Sequence, residues 1–303
     1  PAVYLPRLSI SGHGAGENFD LQVNGEAGYE DFHTLQVQTV VSGSDHGLQL
    51  TDTRIAGRDG EVTGKARLEG QEAFTWQAEA EGRGIVLSSV HPSWPAVRFQ
   101  RLDVSGHGTA GNYDLQVEGD AGYGKVEDLG VETIVSGNGD GLHLTGTRIA
   151  FLGGIMTGAG HLHWKERLAW DVEINGAGID PAGIDPRWPG RLNMRLAAGG
   201  WVREGSLQAE IELLGLDGEL RDYPVSGSGT LAIDGNSYRL DDLVVRTTGS
   251  QLEATGIYAE QIDLSLDLHS ADLAAVWPDA AGSLQASLKV LGTPAEPACT
   301  FDL

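Results

Sequence analysis

A long, gapless internal repeat constrains this chain more than any other feature. Residues 7–95 match residues 101–189 at a constant offset of 94. Ser11-Gly12-His13-Gly14 returns as Ser105-Gly106-His107-Gly108, and Asp20-Leu21-Gln22-Val23 as Asp114-Leu115-Gln116-Val117. Thr53-Arg54-Ile55-Ala56 returns as Thr147-Arg148-Ile149-Ala150, and Trp76 as Trp170. A third, eroded copy keeps Ser226-Gly227, and Trp277-Pro278 echoes Trp94-Pro95 and Trp188-Pro189. Units that repeat in this way share their core with their neighbours. The expectation is a β-repeat over 1–100, a second over 101–194 and a diverged third over 195–303, in one continuous elongated sheet.

Within each copy the hydrophobic period is two. Phe19, Leu21 and Val23 alternate with Asp20, Gln22 and Asn24; Leu35, Val37, Thr39 and Val41 follow. Tyr113, Leu115 and Val117, then Leu129, Val131, Thr133 and Val135, repeat the pattern, as do Trp170, Val172 and Ile174. The third copy offers Ile262, Leu264, Leu266 and Leu268, then Leu284, Ala286, Leu288 and Val290. Alternation of this kind gives a strand one apolar and one polar face. The 44 glycines punctuate the runs. Asn24-Gly25, Ser42-Gly43, Asn138-Gly139-Asp140-Gly141 and Asp234-Gly235 read as tight turns, because Asn-Gly and Asp-Gly accept positive φ. Helix is confined to Ala271–Trp277, at most two turns before Pro278. Roughly 22–26 strands at about 4.8 Å would make a sheet on the order of 100–125 Å long. With one apolar face bare, such a sheet must fold over, close, or hold something apolar. The expected fold class is therefore all-β: an elongated, repetitive, curled β-sheet, a half-pipe groove with a hydrophobic interior and very little helix.

Composition narrows the function. A net charge of −23 repels phosphate backbones, so no nucleic acid is expected as a partner, and it disfavours electrostatic docking on anionic membrane. The single cysteine, Cys299, excludes an intramolecular disulfide and a cysteine-based zinc site. No run reaches the ~18 apolar residues of a membrane-spanning helix. The chain begins at Pro1 and stops inside an alternating pattern, so it reads as a middle or late segment of a longer protein.

Motifs that could carry chemistry have plainer readings. Gly12-His13-Gly14-Ala15-Gly16 lacks the Lys-Ser/Thr and following helix of a phosphate loop, and reads as a turn. Asn138-Gly139-Asp140-Gly141 has no second turn nine residues away, as a calcium-binding repeat requires. His161 and His163 share one side of a strand, a spacing that can hold a metal, yet the first copy has Arg67 and Glu69 there. His13 and His107 read as turn residues without partners. Asp241-Asp242 reads as a turn-like pair ending a strand run, and Gly227-Ser228-Gly229 as a repeat turn rather than a nucleophile elbow. No catalytic residue, cofactor or metal site is assigned, and the chain is not expected to be an enzyme. The Trp-Pro pairs read as bends between repeat units, with Trp plugging the corner.

The order and spacing of several segments resemble the TamB family. They are Asp180-Pro181 through Trp188-Pro189-Gly190-Arg191-Leu192, Gly218 through Gly229, and Thr248-Gly249-Ser250 ahead of Leu252–Gly256. Ala271-Asp272-Leu273 with Trp277-Pro278 and Gly282-Ser283-Leu284, then Gly292-Thr293-Pro294 with Pro297, are similar to TamB and its AsmA-like relatives. The resemblance covers most of 101–303 and reaches 1–100 through the repeat. It implies a curled sheet called a β-taco, in a parent anchored in the inner membrane and spanning the periplasm of a Gram-negative bacterium. The implied partners are a TamA-like outer-membrane β-barrel, phospholipid acyl chains and outer-membrane protein clients. The implied function is moving phospholipid between the membranes, assisting outer-membrane protein assembly, or both.

The candidate lining of a lipid groove is Leu21, Val23, Val37, Leu115, Val117, Val131, Val172 and Ile174; packing against an opposite wall would use the same residues. The alternative function is an extracellular structural repeat, an adhesin or autotransporter stalk of β-helix type. An outer-membrane barrel is a third reading, disfavoured because aromatic girdles at strand ends are not evident in the sequence.

Overall fold

A computed structural model describes residues 3–16, 18–29, 35–70, 74–90, 96–124, 126–203 and 205–303. The chain divides into two compact units, 1–139 with 144–149, and 140–143 with 150–303. The first unit contains β1 (Val3–Ala15), β2 (Asn18–Tyr29), β3 (Leu35–Ser44), β4 (Gly47–Gly57), β5 (Gly60–Glu69), β6 (Thr75–Val86), β7 (Arg98–Thr109), β8 (Asn112–Tyr123) and β9 (Val126–Asn138). A one-turn helix, α1 (Leu87–Val90), follows β6. Strand β10 (Gly141–Phe151) contributes residues to both units. The second unit continues with β11 (Gly154–His163), β12 (Leu168–Ile179), β13 (Gly190–Arg203), β14 (Ser206–Leu220) and β15 (Tyr223–Asp234). It ends with β16 (Ser237–Thr247), β17 (Ser250–Tyr258), β18 (Ile262–Ser270), β19 (Leu284–Thr293) and β20 (Glu296–Asp302). Beyond α1, the helical content described is two 3-10 turns, Pro181–Gly183 and Leu273–Ala275.

Each unit is an antiparallel meander in which every strand pairs with its sequence neighbour. Parallel coils of a β-helix are absent from these pairings. The repeat reappears at the level of strands: β2, β4 and β5 recur 94 residues later as β8, β10 and β11 with the same limits. Among the described residues there are 20 strands, against the 22–26 the sequence suggests, because individual strands run to as many as 15 residues.

The strands run longer because several glycines read as turns lie inside them. Asn24-Gly25 falls in β2, Ser42-Gly43 in β3, Gly12-His13-Gly14 in β1 and Gly227-Ser228-Gly229 in β15. Asn138–Gly141 and Asp234-Gly235 do form the expected turns. The interior glycines make room for a large neighbour. Gly106 lies directly opposite Leu115, and a Cβ on it would sit 2.8 Å from the Asp114 carbonyl oxygen.

Bulges supply the second departure. Asp241-Asp242 does not end a strand; it interrupts β16, where Asp242 has φ 49° and the register slips between Leu240 and Leu243. Asp52 (φ 49°) in β4 and its counterpart Gly146 (φ 59°) in β10 adopt the same left-handed conformation. One extra residue at a bulge restores the face of the side chains beyond it. Leu48 and Leu50 thus stay on the same side as Thr53 and Ile55. Thr39 and Thr53 then meet across the bulge, hydroxyl to hydroxyl at 2.7 Å, as do Thr133 and Thr147.

Candidate functional site: an uncovered apolar sheet face

Directly opposed residues in an antiparallel pair share a face, so the registers trace rows across each unit. In the first unit one row runs Gly12, Leu21, Val41, Leu50, Ala66, Ala78, Gly106, Leu115, Val135. A parallel row carries Val23, Thr39, Gly64, Ala80, Val104, Val117 and Thr133. Another links Gly25, Val37, Ile55, Val62, Gly82, Leu102, Gly119 and Val131. In the second unit Val172 continues through Ala198, Ile211, Leu231, Leu240, Gly256, Leu264 and Val290. Ile174 continues through Leu196 and Leu213, and Ala254, Leu266 and Leu288 form its far part.

The eight candidate lining residues therefore occupy these apolar rows. Leu21, Val23, Val37, Leu115, Val117 and Val131 lie in the first unit, Val172 and Ile174 in the second. All eight are half-buried. The larger share of the second unit's face, from Ile211 to Leu288, belongs to residues outside that set. Their alternation is visible in the sequence, but the bulges in β14 and β16 hide which runs share a side.

Among the described residues the large side chains of these rows are half-buried rather than buried in both units, as expected where only neighbouring strands flank them. The fully buried apolar side chains described are small or near strand ends: Ala121, Ile179, Ala209, Ile262 and Ala275. In the second unit β11–β20 would span roughly 43 Å at about 4.8 Å per strand. Across the strands the apolar rows cover about 20 Å, so the face is on the order of 900 Å². Soluble monomers rarely expose a contiguous apolar patch larger than a few hundred Å². The face is chemically suited to hydrocarbon: Val, Leu, Ile and Ala rows with no charge among them.

The opposite face is charged and wet. Arg101 on β7 donates to Glu118 (2.7 Å), Asp120 (2.9 Å) and Asp103 (2.7 Å). These hydrogen bonds, first that to Glu118, raise its pKa further. Arg54 grips Glu61 through two 2.8 Å hydrogen bonds, and that grip holds the Glu61 carboxyl below its usual value. A shallow depression of about 900 Å³ on this side runs past Lys65, Glu79, Asp103 and Glu118. Lys65 and Glu79 are paired at 2.8 Å. These pairs still leave carboxylates in large excess, in keeping with the net charge of −23.

His13 and His107 lie in strands rather than turns, facing Asp20 at 3.8 Å and Asp114 at 4.0 Å. His161 Nδ1 lies 2.8 Å from Asp171 Oδ2. His143, not singled out from sequence because its partners are on the next strand, joins His161 and His163, with ring centroids 4.5 and 6.3 Å away. Among the described residues no three His, Cys, Asp or Glu groups are arranged to hold a metal.

The two rims of the second unit differ. Tight turns close one rim, at 235–236, 259–261 and 294–295. The other rim carries two long connections, 180–189 and 271–283. Asp180 caps the first 3-10 turn: its carboxylate accepts from Ala182 N (3.0 Å) and Gly190 N (2.9 Å). Those two backbone hydrogen bonds hold its pKa below the ordinary value.

The long connections meet although six strand spacings, about 29 Å on a flat sheet, separate their origins. Trp188 and Trp277 pack edge-on, 6.4 Å apart. The Arg221 guanidinium lies 5.6 Å from the Trp188 ring centre and donates to the Ala274 carbonyl at 2.8 Å. These Trp-Pro pairs are thus rim contacts, not corner plugs; Trp277 is 64% exposed. Trp94-Pro95 lies outside the described residues.

Aromatic residues do cluster at strand ends, contrary to the expectation from sequence. On the apolar side, Phe19, Trp76 and Tyr113 line the turn rim of the first unit. Trp170, Tyr238 and Tyr258 line that of the second. Their spacing along the chain hides the alignment, because each comes from a different strand.

Comparison with known proteins gives one family. The sequence model described as "TamB, N-terminal domain" matches residues 95–303. The expectation from sequence is a middle or late segment of the parent; the matched model is that of the family's N-terminal domain. The chain is also similar to the translocation and assembly module subunit TamB of Haemophilus influenzae, 25% identical over 194 residues. That alignment covers 63% of this chain and 15% of the relative, so the chain spans a small part of the relative's length. No solved structure matches the chain.

Proposed function

The chain belongs to the TamB family, and from that premise we propose that it is a segment of a bridge that carries phospholipid acyl chains along its apolar sheet face between the inner and outer membranes of a Gram-negative envelope. The observation that carries this reading is that the large side chains of the apolar rows are only half-buried among the described residues. A face of that size needs an apolar cover, and acyl chains supply one without a defined binding pocket. Each buried CH₂ contributes about 0.8 kcal/mol, so a two-tailed lipid is held firmly. Rows of near-equivalent Val, Leu and Ala offer sites of similar depth, which lets it slide. The headgroup stays in water and avoids its desolvation cost. In this reading the role is non-catalytic. The parent is anchored in the inner membrane and crosses the periplasm to a TamA-like barrel, and outer-membrane protein assembly depends on the same bridge.

The test is a photoreactive amino acid at Leu115 in one variant and at Gln116 in another, within the full-length protein in the periplasm of a Gram-negative host. Leu115 lies in an apolar row and Gln116 on the polar side. Lipid adducts at 115 and not at 116 are expected. A correctly folded and placed protein that captures no lipid at either position refutes the conduit and leaves a structural repeat as the better reading.

A further inference from the structure

The conduit reading leaves open how a bound amphiphile lies across the sheet. The two rims of the second unit answer that differently. Buried apolar-face residues occur at both rims, Ala209 and Ile262 beside the tight turns included, but among the described residues only the loop rim is also bordered by the long 180–189 and 271–283 connections. Ser250 and Ser270 face each other two residues beyond the Leu252–Leu268 pair, on the same side, and are 6% and 1% exposed. Their hydroxyls hydrogen-bond to each other at 2.8 Å. Ala275, in the connection that returns over this rim, is also buried. The first part of the connection is tied down twice. The Ala271 amide donates to the Gly249 carbonyl at 2.8 Å, and Arg221, from the β14–β15 turn, holds the Ala274 carbonyl.

At the turn rim no such connection exists among the described residues, and the apolar rows end in amphipathic rings. Tyr238 and Tyr258 are paired across β16 and β17, ring centres 6.3 Å apart, each 43% exposed. Trp170 ends the row on β12. Such rings favour a boundary between hydrocarbon and water, where the ring is apolar and its tip is wet. Arg167, in the β11–β12 turn on the same rim, holds its guanidinium 4.8 Å from the ring centre of Trp201, which lies on the polar side opposite Ala169 and Gln208, so this cation stands at the outer edge of the rim. An Arg fork presented in this way suits a phosphate oxygen.

The distance between the rims accommodates one hydrocarbon layer. Six residues separate Tyr258 from Leu252 along β17, about 20 Å at ~3.3 Å per residue. One leaflet of a bilayer has about 15 Å of hydrocarbon, half of a ~30 Å core. A chain of that length laid along the strands from the tyrosines therefore ends within the apolar rows, about 5 Å short of Leu252.

Resting on the conduit reading, we propose that the second unit holds phospholipid in one orientation, headgroup at the Trp170–Tyr238–Tyr258 rim and acyl ends toward the 271–283 connection. The polar end thus travels along a single rim, and the connections bordering the loop rim keep water and headgroups out of the other side.

The experiment uses the purified 303-residue chain with two photoreactive phosphatidylethanolamines in separate samples. One carries a diazirine on the headgroup, the other at the terminal carbon of an acyl chain. Modified peptides are mapped by mass spectrometry. Headgroup labelling is expected to favour residues around Trp170, Tyr238 and Tyr258 over those around Leu220, Tyr223 and Leu268 by at least about fivefold. Acyl-end labelling is expected to show the opposite bias. Equal labelling of both rims, or a reversed bias, with robust labelling of the mid-rows at Leu252 and Leu266, overturns the orientation while leaving the conduit intact. Absence of labelling anywhere on the apolar face, in a chain shown by circular dichroism to be β-folded, overturns both.

Discussion

Leucine 266 and isoleucine 262 lie on the same strand and differ in one respect that the single-layer architecture makes decisive. Ile262 is 7% exposed, near the turn into β18 and paired with Tyr258 and Gly292. Leu266 sits mid-row between Ala254 and Leu288 and is only half-buried. Truncating either to alanine removes three carbons. Each fully buried carbon contributes about 0.8 kcal/mol, so complete burial sets the scale at ~2.4 kcal/mol before any cavity cost. Ile262→Ala is then expected to cost about 2–4 kcal/mol, because a void is left among fixed neighbours. Leu266→Ala forfeits only about half of the transfer contribution and leaves no enclosed void, an expected ~1 kcal/mol. Urea titration of the lipid-free chain, with midpoints compared at a common slope, measures the difference. Two compact units invite more than one transition, so the comparison is made on the transition that both variants move. Equal losses, with Leu266→Ala at ~3 kcal/mol or more, would refute the single-layer account, since they would require a packed layer over the apolar face.

Two further outcomes follow from local geometry. Gly106→Ala places a Cβ 2.8 Å from the Asp114 carbonyl oxygen; backbone cannot yield as a side chain can, so a loss of about 1–3 kcal/mol is expected, and a neutral urea midpoint would show that the two strands separate at little cost. Asp180 titrates below its ordinary value because Ala182 and Gly190 donate to its ionised form. Its contribution is therefore present above the unfolded-state pKa of about 3.9 and is lost as pH falls through the lower, folded value. Amide exchange across 180–190 should accelerate in that acid window in the native chain. Asp180→Asn, which keeps an acceptor but cannot titrate, should lack that step, and identical profiles for the two would discard the assignment.

The sequence alone determined the class of structure. Period-two alternation fixes strands with one apolar side whatever their neighbours do, and the constant 94-residue offset shows that one six-strand pattern is used again. The membership of Leu21, Val23, Leu115, Val117, Val172 and Ile174 in apolar rows follows from that alternation, because side-chain direction in a strand is local geometry. Glycine was ambiguous for an equally local reason. The residue that permits a turn also permits close approach inside a strand, and only the neighbour tells which is needed: Gly235 turns the chain, whereas Gly106 faces Leu115.

What the tertiary structure decided is everything set by pairing between distant segments. The bulges at Asp52, Gly146 and Asp242 decide which runs share a side, and they are defined against a partner strand. The meeting of Arg221 with Ala274, of Trp188 with Trp277, and of His143 with His161 joins residues between 18 and 89 positions apart. Alternation could say that an apolar face exists. Only the packing could say that its large side chains stay half-buried among the described residues, and that long connections border one rim while paired tyrosines stand at the other. Burial is a property of what lies across the sheet, and no single strand's sequence records it.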